Sequence, residues 1–280
     1  MSISAKDVKA LRDQTGAGMM DCKKALTEAN GDLTKAIENL RKKGQKISAK
    51  RADRETTEGV VIAVTSEDRS NGIVVRLSCE TDFVSKNEDF VNIAKKIADV
   101  ALQNLPADVD ALNALSYDDG LTIKEKTIEQ TGVIGEKIEV NTYEKLEAGS
   151  DGGQVLPYIH MGHRAGVIVT LNQQGDDFIE PGKNVAMQVA AMKPIALDKD
   201  GVDASIVEKE IEIGKEIARK EGKPEEMLER ISSGKLNKFF KERTLLNQAY
   251  VKGNKESVSD YLKTIHPDLT VTAFKHVALG

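Results

Sequence analysis

Gly59-Val60-Val61-Ile62-Ala63-Val64 and Gly72-Ile73-Val74-Val75-Arg76-Leu77, followed by Asp82-Phe83 and then by Phe90, Val91, Ala94, Ile97 and Ala98, decide the fold of this 280-residue chain. Each glycine-opened run is rich in β-branched residues and has the length of one buried strand, so the pair reads as an antiparallel hairpin. The apolar positions from Phe90 onward recur at helical spacing and predict a helix over one face of that hairpin. The same order returns further along: Gly153-Gln154-Val155-Leu156, then Gly166-Val167-Ile168-Val169-Thr170-Leu171, Asp177-Phe178, and Val185, Val189 and Met192. Gly59 to Gly72 spans the same thirteen positions as Gly153 to Gly166, and Phe83 to Phe90 the same seven as Phe178 to Val185. A repeated hairpin-loop-helix unit predicts an α+β fold with a duplicated core of antiparallel sheets.

Outward from this core, the N-terminal segment reads as three short helices. Ser4 with Asp7 gives a capping box, Val8, Leu11 and Arg12 follow, and Thr15-Gly16-Ala17-Gly18 breaks the helix. A second helix from Met19 to Ala29 stops at Asn30-Gly31, and Asp32 caps a third whose stripe is Leu33, Ile37 and Leu40, ended by Gly44. Arg41 to Arg54 carries seven basic residues against one acidic, and reads as a solvated linker, with an RNA-contacting segment as the alternative. Near the other end, Ile206, Ile213 and Ile217 with Val207 and Ile211 form an apolar seam, Gly222-Lys223-Pro224 turns the chain, and Met227, Leu228, Ile231, Leu236 and Phe239 return it. Such a helical hairpin either projects from the sheet domain or packs as ordinary core helices. The expected division is 1–53 for the three-helix domain with its basic linker, 54–140 for the first α+β unit, and 141–280 for the second, with the hairpin at 203–242.

The loop Cys79-Glu80-Thr81-Asp82-Phe83-Val84 stands apart. An aromatic beside a carboxylate, past a strand end, suits insertion into a partner: phenylalanine wedges between packed side chains while the carboxylate competes at a cation or phosphate site. The alternative is a turn whose Phe83 returns to this chain's own core. The second copy, Gln173-Gln174-Gly175-Asp176-Asp177-Phe178-Ile179-Glu180, is slacker and more acidic, so only the first loop reads as specialised.

A net charge of -5, with aromatics at 4% and no tryptophan, disfavours nucleic acid as a partner. No stretch approaches the roughly 20 apolar residues of a membrane span. The start Met1-Ser2-Ile3-Ser4-Ala5-Lys6-Asp7 lacks the apolar run of a signal peptide, so a cytoplasmic location is expected. Cys22 and Cys79 lie far apart with no C-x-x-C pair, which argues against a disulfide framework or a zinc knuckle. H-E-x-x-H, G-x-S-x-G and phosphate-loop signatures are missing, and Gly16-Ala17-Gly18 has Asp21 at the third glycine position of a dinucleotide loop and no strand before it. His160 and His163 need further ligands to hold a metal, and Tyr158 to Arg164 reads as a contact loop. A hydrolase would rest on Cys79 and that loop alone; a plain binding adaptor is the other alternative.

Three separated motifs, Thr15-Gly16-Ala17-Gly18-Met19-Met20-Asp21-Cys22-Lys23-Lys24-Ala25-Leu26, Thr81-Asp82-Phe83-Val84 and Gly234-Lys235-Leu236-Asn237-Lys238-Phe239-Phe240, closely resemble the bacterial elongation factor Ts family. The resemblance runs from the first helix almost to Gly280. It implies a ubiquitin-associated-like helical domain, a duplicated α+β core and a protruding coiled coil. It also implies nucleotide exchange on elongation factor Tu, without a cofactor, catalytic residue or metal of its own. By the family's pattern Thr81, Asp82, Phe83 and Val84 meet the GTPase domain near its magnesium site, with Phe83 wedged between helices. Arg12, Met19 and Met20 meet another helix of that domain, one of the two methionines being expected in the core. The Tyr158 to Gly166 hairpin, with His160 and Gly162, reaches a further contact surface; one family variant has histidine just before the hairpin glycine, where this chain has Met161.

Overall fold

Ser4 accepts the Asp7 N–H and the Asp7 carboxylate accepts the Ser4 N–H, a capping box that starts α1 (Ala5–Thr15). A computed structural model describes residues 3–118, 120–149, 152–253 and 255–280, so the reading of the leader is outside it at Met1 and Ser2. Helix α1 ends where Gly16, at φ 67°, takes the left-handed conformation and donates to the Arg12 carbonyl. Helix α2 (Met19–Glu28) follows, and Asn30 and Gly31, both at positive φ, bring the chain to Asp32, which caps α3 (Leu33–Lys50). Val8, Leu11, Cys22, Ala25, Leu26 and Ala36 close a small core between the three helices.

The first half of the repeat is the hairpin of β1 (Glu58–Thr65) and β2 (Asn71–Cys79), with Ile62 opposite Val75. After it come α4 (Asp82–Ser85), α5 (Glu88–Asn104), α6 (Val109–Ala114), the ribbon of β3 (Ser116–Asp118) and β4 (Leu121–Thr122), α7 (Ile123–Ile134) and β5 (Glu139–Glu147). Strand β5 pairs with β2, giving the order β1-β2-β5. A division at 140/141 would therefore cut this strand; the first sheet extends to Glu147. Alternation sorts the residues: Val60, Ile62, Ile73, Val75 and Leu77 face Phe90, Ala94, Ile97 and Ala98 of α5, while Val61, Ala63 and Val74 face the other way.

Helix α3 does not end at Gly44, so the basic run from Arg41 is mostly helical rather than a solvated linker. Gly44 is buried where α3 crosses α7. A Cβ on Gly44 would stand 3.1 Å from the Ile128 carbonyl oxygen, and one on Gly132 would stand 2.6 Å from the Gly44 Cα. The glycine that weakens an isolated helix here lets two backbones touch.

The second half repeats the plan with β6 (Gln154–Ile159), β7 (Ala165–Leu171) and α8 (Ile179–Met192). Then follow α9 (Ala204–Lys220), α10 (Leu228–Arg243), α11 (Val258–Ile265) and β8 (Val271–Ala278), which completes the sheet β6-β7-β8. The two sheets meet through Val61, Ala63 and Val74 on one side and Val155, Ile168 and Val277 on the other. Gly72 and Gly166, equivalent in the repeat, make this approach close: their Cβ atoms would lie 2.5 Å from Val155 Cγ1 and 2.8 Å from Val61 Cγ1.

Helices α9 and α10 pack on each other, with Gly214 against Ser232, and no residue from 203 to 243 joins the hydrophobic clusters of the sheets. The seam differs from expectation. Gly214 and Ala218 are buried, Val207 and Ile211 half-buried, and Ile206, Ile213 and Ile217 are exposed. Positions 207, 211, 214 and 218 share one helical face, and its small residues set the closeness of the helices. Among the described residues, no helix is long and apolar enough to cross a membrane.

Candidate functional site

Strand β2 ends in a tightly bonded turn. The buried Cys79 thiol donates to the Thr81 carbonyl at 3.2 Å. The Glu80 carboxylate accepts from Arg51 Nη1 at 2.8 and 2.9 Å and from the Lys137 N–H at 2.6 Å. Thr81 donates to Glu136 twice, from its N–H at 3.0 Å and from Oγ1 at 2.7 Å. From this anchored turn α4 points its two apolar side chains apart: Val84 packs on the core under α5, and Phe83 faces solvent, 85% exposed. That exposure rules out the turn whose Phe83 returns to its own core.

Asp82, beside it, accepts from Lys86 Nζ at 2.6 Å, an i,i+4 pair on the helical surface. The hydrogen bond and charge of Lys86 hold the Asp82 carboxyl below the usual carboxylate range, and Arg164 adds to this from the loop between β6 and β7. Lys86 thus offsets the Asp82 charge in the free protein through one carboxylate oxygen.

The remaining expected site residues lie on α1, on α2 and in the loop between β6 and β7. Arg12 lies exposed on the last turn of α1. Met19 and Met20 open α2 and are 59% and 74% exposed, so neither is core. The C-terminal turn of α1, Asp13 to Gly16, shares one groove with Phe83 and Val84. On the other flank Ser85 and Lys86 share a second with Gly162 and His163. Helix α4 thus stands between the three-helix module and the β6–β7 loop. In that loop Gly162 takes φ 73°, a left-handed turn that glycine accepts without strain, and presents Met161 at 85% exposure. His160 is exposed, with Nδ1 3.2 Å from the Tyr158 hydroxyl.

Lys86, Glu136 and Arg51 are absent from the site residues expected from the sequence, whereas Met161 lies within the expected contact hairpin. Lys86 was readable as the i+4 partner of Asp82, and Met161 as a large apolar residue at a glycine turn. Glu136 and Arg51 lie 55 and 29 positions from their partners and leave no local signal.

Reactive chemistry finds little support. Burial, then the Glu136 charge, pushes the Cys79 thiol up to about 12, and burial also raises Cys22, so neither is a thiolate near neutral pH. Among the described residues, no group of three or more His, Cys, Asp and Glu side chains is placed to hold a metal ion. Exposed Phe83, Met19, Met20 and Met161 on a braced α+β frame define a protein-binding factor. Residues 80–280 match the family described as Elongation factor TS. An elongation factor Ts of Cytophaga hutchinsonii is 54% identical over 280 residues, covering 100% of this chain and 99% of that protein. That of Flavobacterium psychrophilum is 53% identical over 279 residues, with 100% and 99% covered, and that of Porphyromonas gingivalis 40% over 280 residues, with the same coverage. This chain belongs to the elongation factor Ts family.

Proposed function

We propose that this chain is a guanine nucleotide exchange factor for elongation factor Tu, and that it releases GDP by seating Phe83 between helices of the GTPase beside its magnesium site. The observation that carries the reading is the solvent-facing Phe83 on a turn locked by Glu80 and Glu136. Magnesium tolerates little departure from octahedral geometry, so a small displacement of the helices around it weakens the hold on the phosphates. Asp82, once released from Lys86, adds negative charge where the phosphates were neutralised. By linkage, the factor by which the exchange protein weakens nucleotide equals the factor by which nucleotide weakens the exchange protein. A weakening of about 10⁴-fold takes about 5.5 kcal/mol of differential binding. One phenylalanine supplies part of this, and the rest falls to Arg12, Met19, Met20 and the loop with His160, Met161 and Gly162, while Thr81, bonded to Glu136, and Val84, packed on the core, hold α4 from within rather than touching the partner.

In this reading the N-terminal module is ubiquitin-associated-like, α9 and α10 form a projecting coiled coil, and the factor acts in the cytoplasm without a cofactor. Stopped-flow release of fluorescent GDP from purified elongation factor Tu tests it. Release should accelerate in proportion to added protein; a rate equal to spontaneous release would end this reading.

A further inference from the structure

We infer that Glu80 and Glu136 form a reciprocal clasp that positions α4, and that Glu136 acts in exchange as a positioning residue for Phe83. Each carboxylate accepts the main-chain N–H that follows the other glutamate: Glu80 from Lys137 at 2.6 Å, Glu136 from Thr81 at 3.0 Å. Further hydrogen bonds reinforce each side, since Thr81 Oγ1 donates to Glu136 and Arg51 to both oxygens of Glu80. Burial pushes the Glu80 carboxyl up, but the Lys137 N–H and Arg51 outweigh it and leave the group below its ordinary value.

Helix α4 needs such an anchor. It has four residues, too few to offset the cost of nucleating a helix, and its N-cap residue Thr81 makes no side-chain cap, its hydroxyl donating to Glu136 instead. Its far end is held where Asn87 caps α5. Between these two points Phe83 is exposed, so the clasp, rather than packing of the ring, fixes where the ring stands. An anchor held in place before binding loses less entropy in the complex than one on a loose loop.

This inference rests on Phe83 being the wedge, and a double-mutant cycle separates the two ideas. Exchange rate per folded molecule is measured for Glu136→Ala, Phe83→Ala, the double variant and Glu136→Gln, with a thermal melt of each. Glu136→Ala should slow exchange about tenfold through a misplaced ring. Glu136→Gln should stay within about twofold, because its amide can still accept the Thr81 N–H and donate to the hydroxyl. In the Phe83→Ala background Glu136→Ala should cost nothing further. Full exchange by Glu136→Ala, or an undiminished loss in the Phe83→Ala background, would overturn the positioning role. Normal exchange by Phe83→Ala would overturn the wedge itself and the clasp with it. Should Glu136→Ala lose its fold, Thr81→Val, which removes only the hydroxyl contact, carries the same cycle with an expected loss of about threefold.

Discussion

Phe83→Ala distinguishes an interface anchor from a structural side chain by the size of two effects. Phe83 is 85% exposed. Of the roughly 200 Å² a phenylalanine offers, about 30 Å² is then covered in the free protein, worth less than about 1 kcal/mol at about 25 cal/mol/Å². The melting temperature should fall by no more than about 4 °C. In a complex the other roughly 170 Å² becomes available, an upper bound of about 4 kcal/mol. Ordering costs leave about 2 kcal/mol or more for a central aromatic, or about thirtyfold in Kd. Calorimetric titration against nucleotide-free elongation factor Tu measures the second effect, and a scanning melt the first. Phe90→Ala provides the contrast: Phe90 is fully buried under the first sheet, and its truncation should cost about 3–5 kcal/mol of stability. If Phe83→Ala instead behaves like Phe90→Ala, with a large drop in melting temperature and normal exchange per folded molecule, the wedge reasoning is refuted.

Arg12→Ala, on an exposed turn, should weaken complex formation with almost no change in melting temperature; unchanged affinity by calorimetry would remove that contact. Replacing residues 208–230 by a short Gly/Ser linker should leave a folded chain with reduced exchange, because these residues join no sheet cluster, and circular dichroism would reveal any collapse. Gly166→Ala should destabilise by about 1–3 kcal/mol in urea titration, since the new methyl meets both Val61 and Val74 of the facing sheet. Stability should decline as pH rises from the ordinary thiol value of 9.0 towards about 12, because the unfolded chain gives up the Cys79 proton there while the fold retains it. Urea titrations at pH 8 and 10 should find this decline smaller in Cys79→Ala.

The duplicated core was legible because both copies keep the same two glycines, and each has a steric duty: Gly59 and Gly153 at the first strand of each hairpin, Gly72 and Gly166 between the sheets. Glycine misled at Gly44, since an absent side chain signals a helix stop and a close helix crossing equally well. Strand β5 escaped the first division because Glu139 to Glu147 is largely polar and pairs with β2 alone. In the helical hairpin Val207 and Ile211 of the expected seam share the contact face, but Ile206, Ile213 and Ile217 do not, because helix contact is governed by the small residues Gly214 and Ala218. The direction of Phe83 was undecidable locally, because adjacent residues of one helical turn face differently and nothing in Phe83-Val84 tells which is inward. Its anchors are long-range, and pattern within a window does not register them.

The continuous run of α3 to Lys50 changes how two contact regions combine. Joined by a flexible tether, the three-helix module and Phe83 would bind as two linked ligands, the second at an effective concentration set by tether length. Here α3 crosses α7 backbone to backbone at Gly44 and Gly132, and Arg51, one residue past its end, is tied to Glu80. The module is carried as a strut, so that under the proposed function both regions would dock in one encounter. A few glycines inserted after Lys50 would convert that single docking event into two sequential ones, visible as a second phase in association kinetics with every contact residue intact.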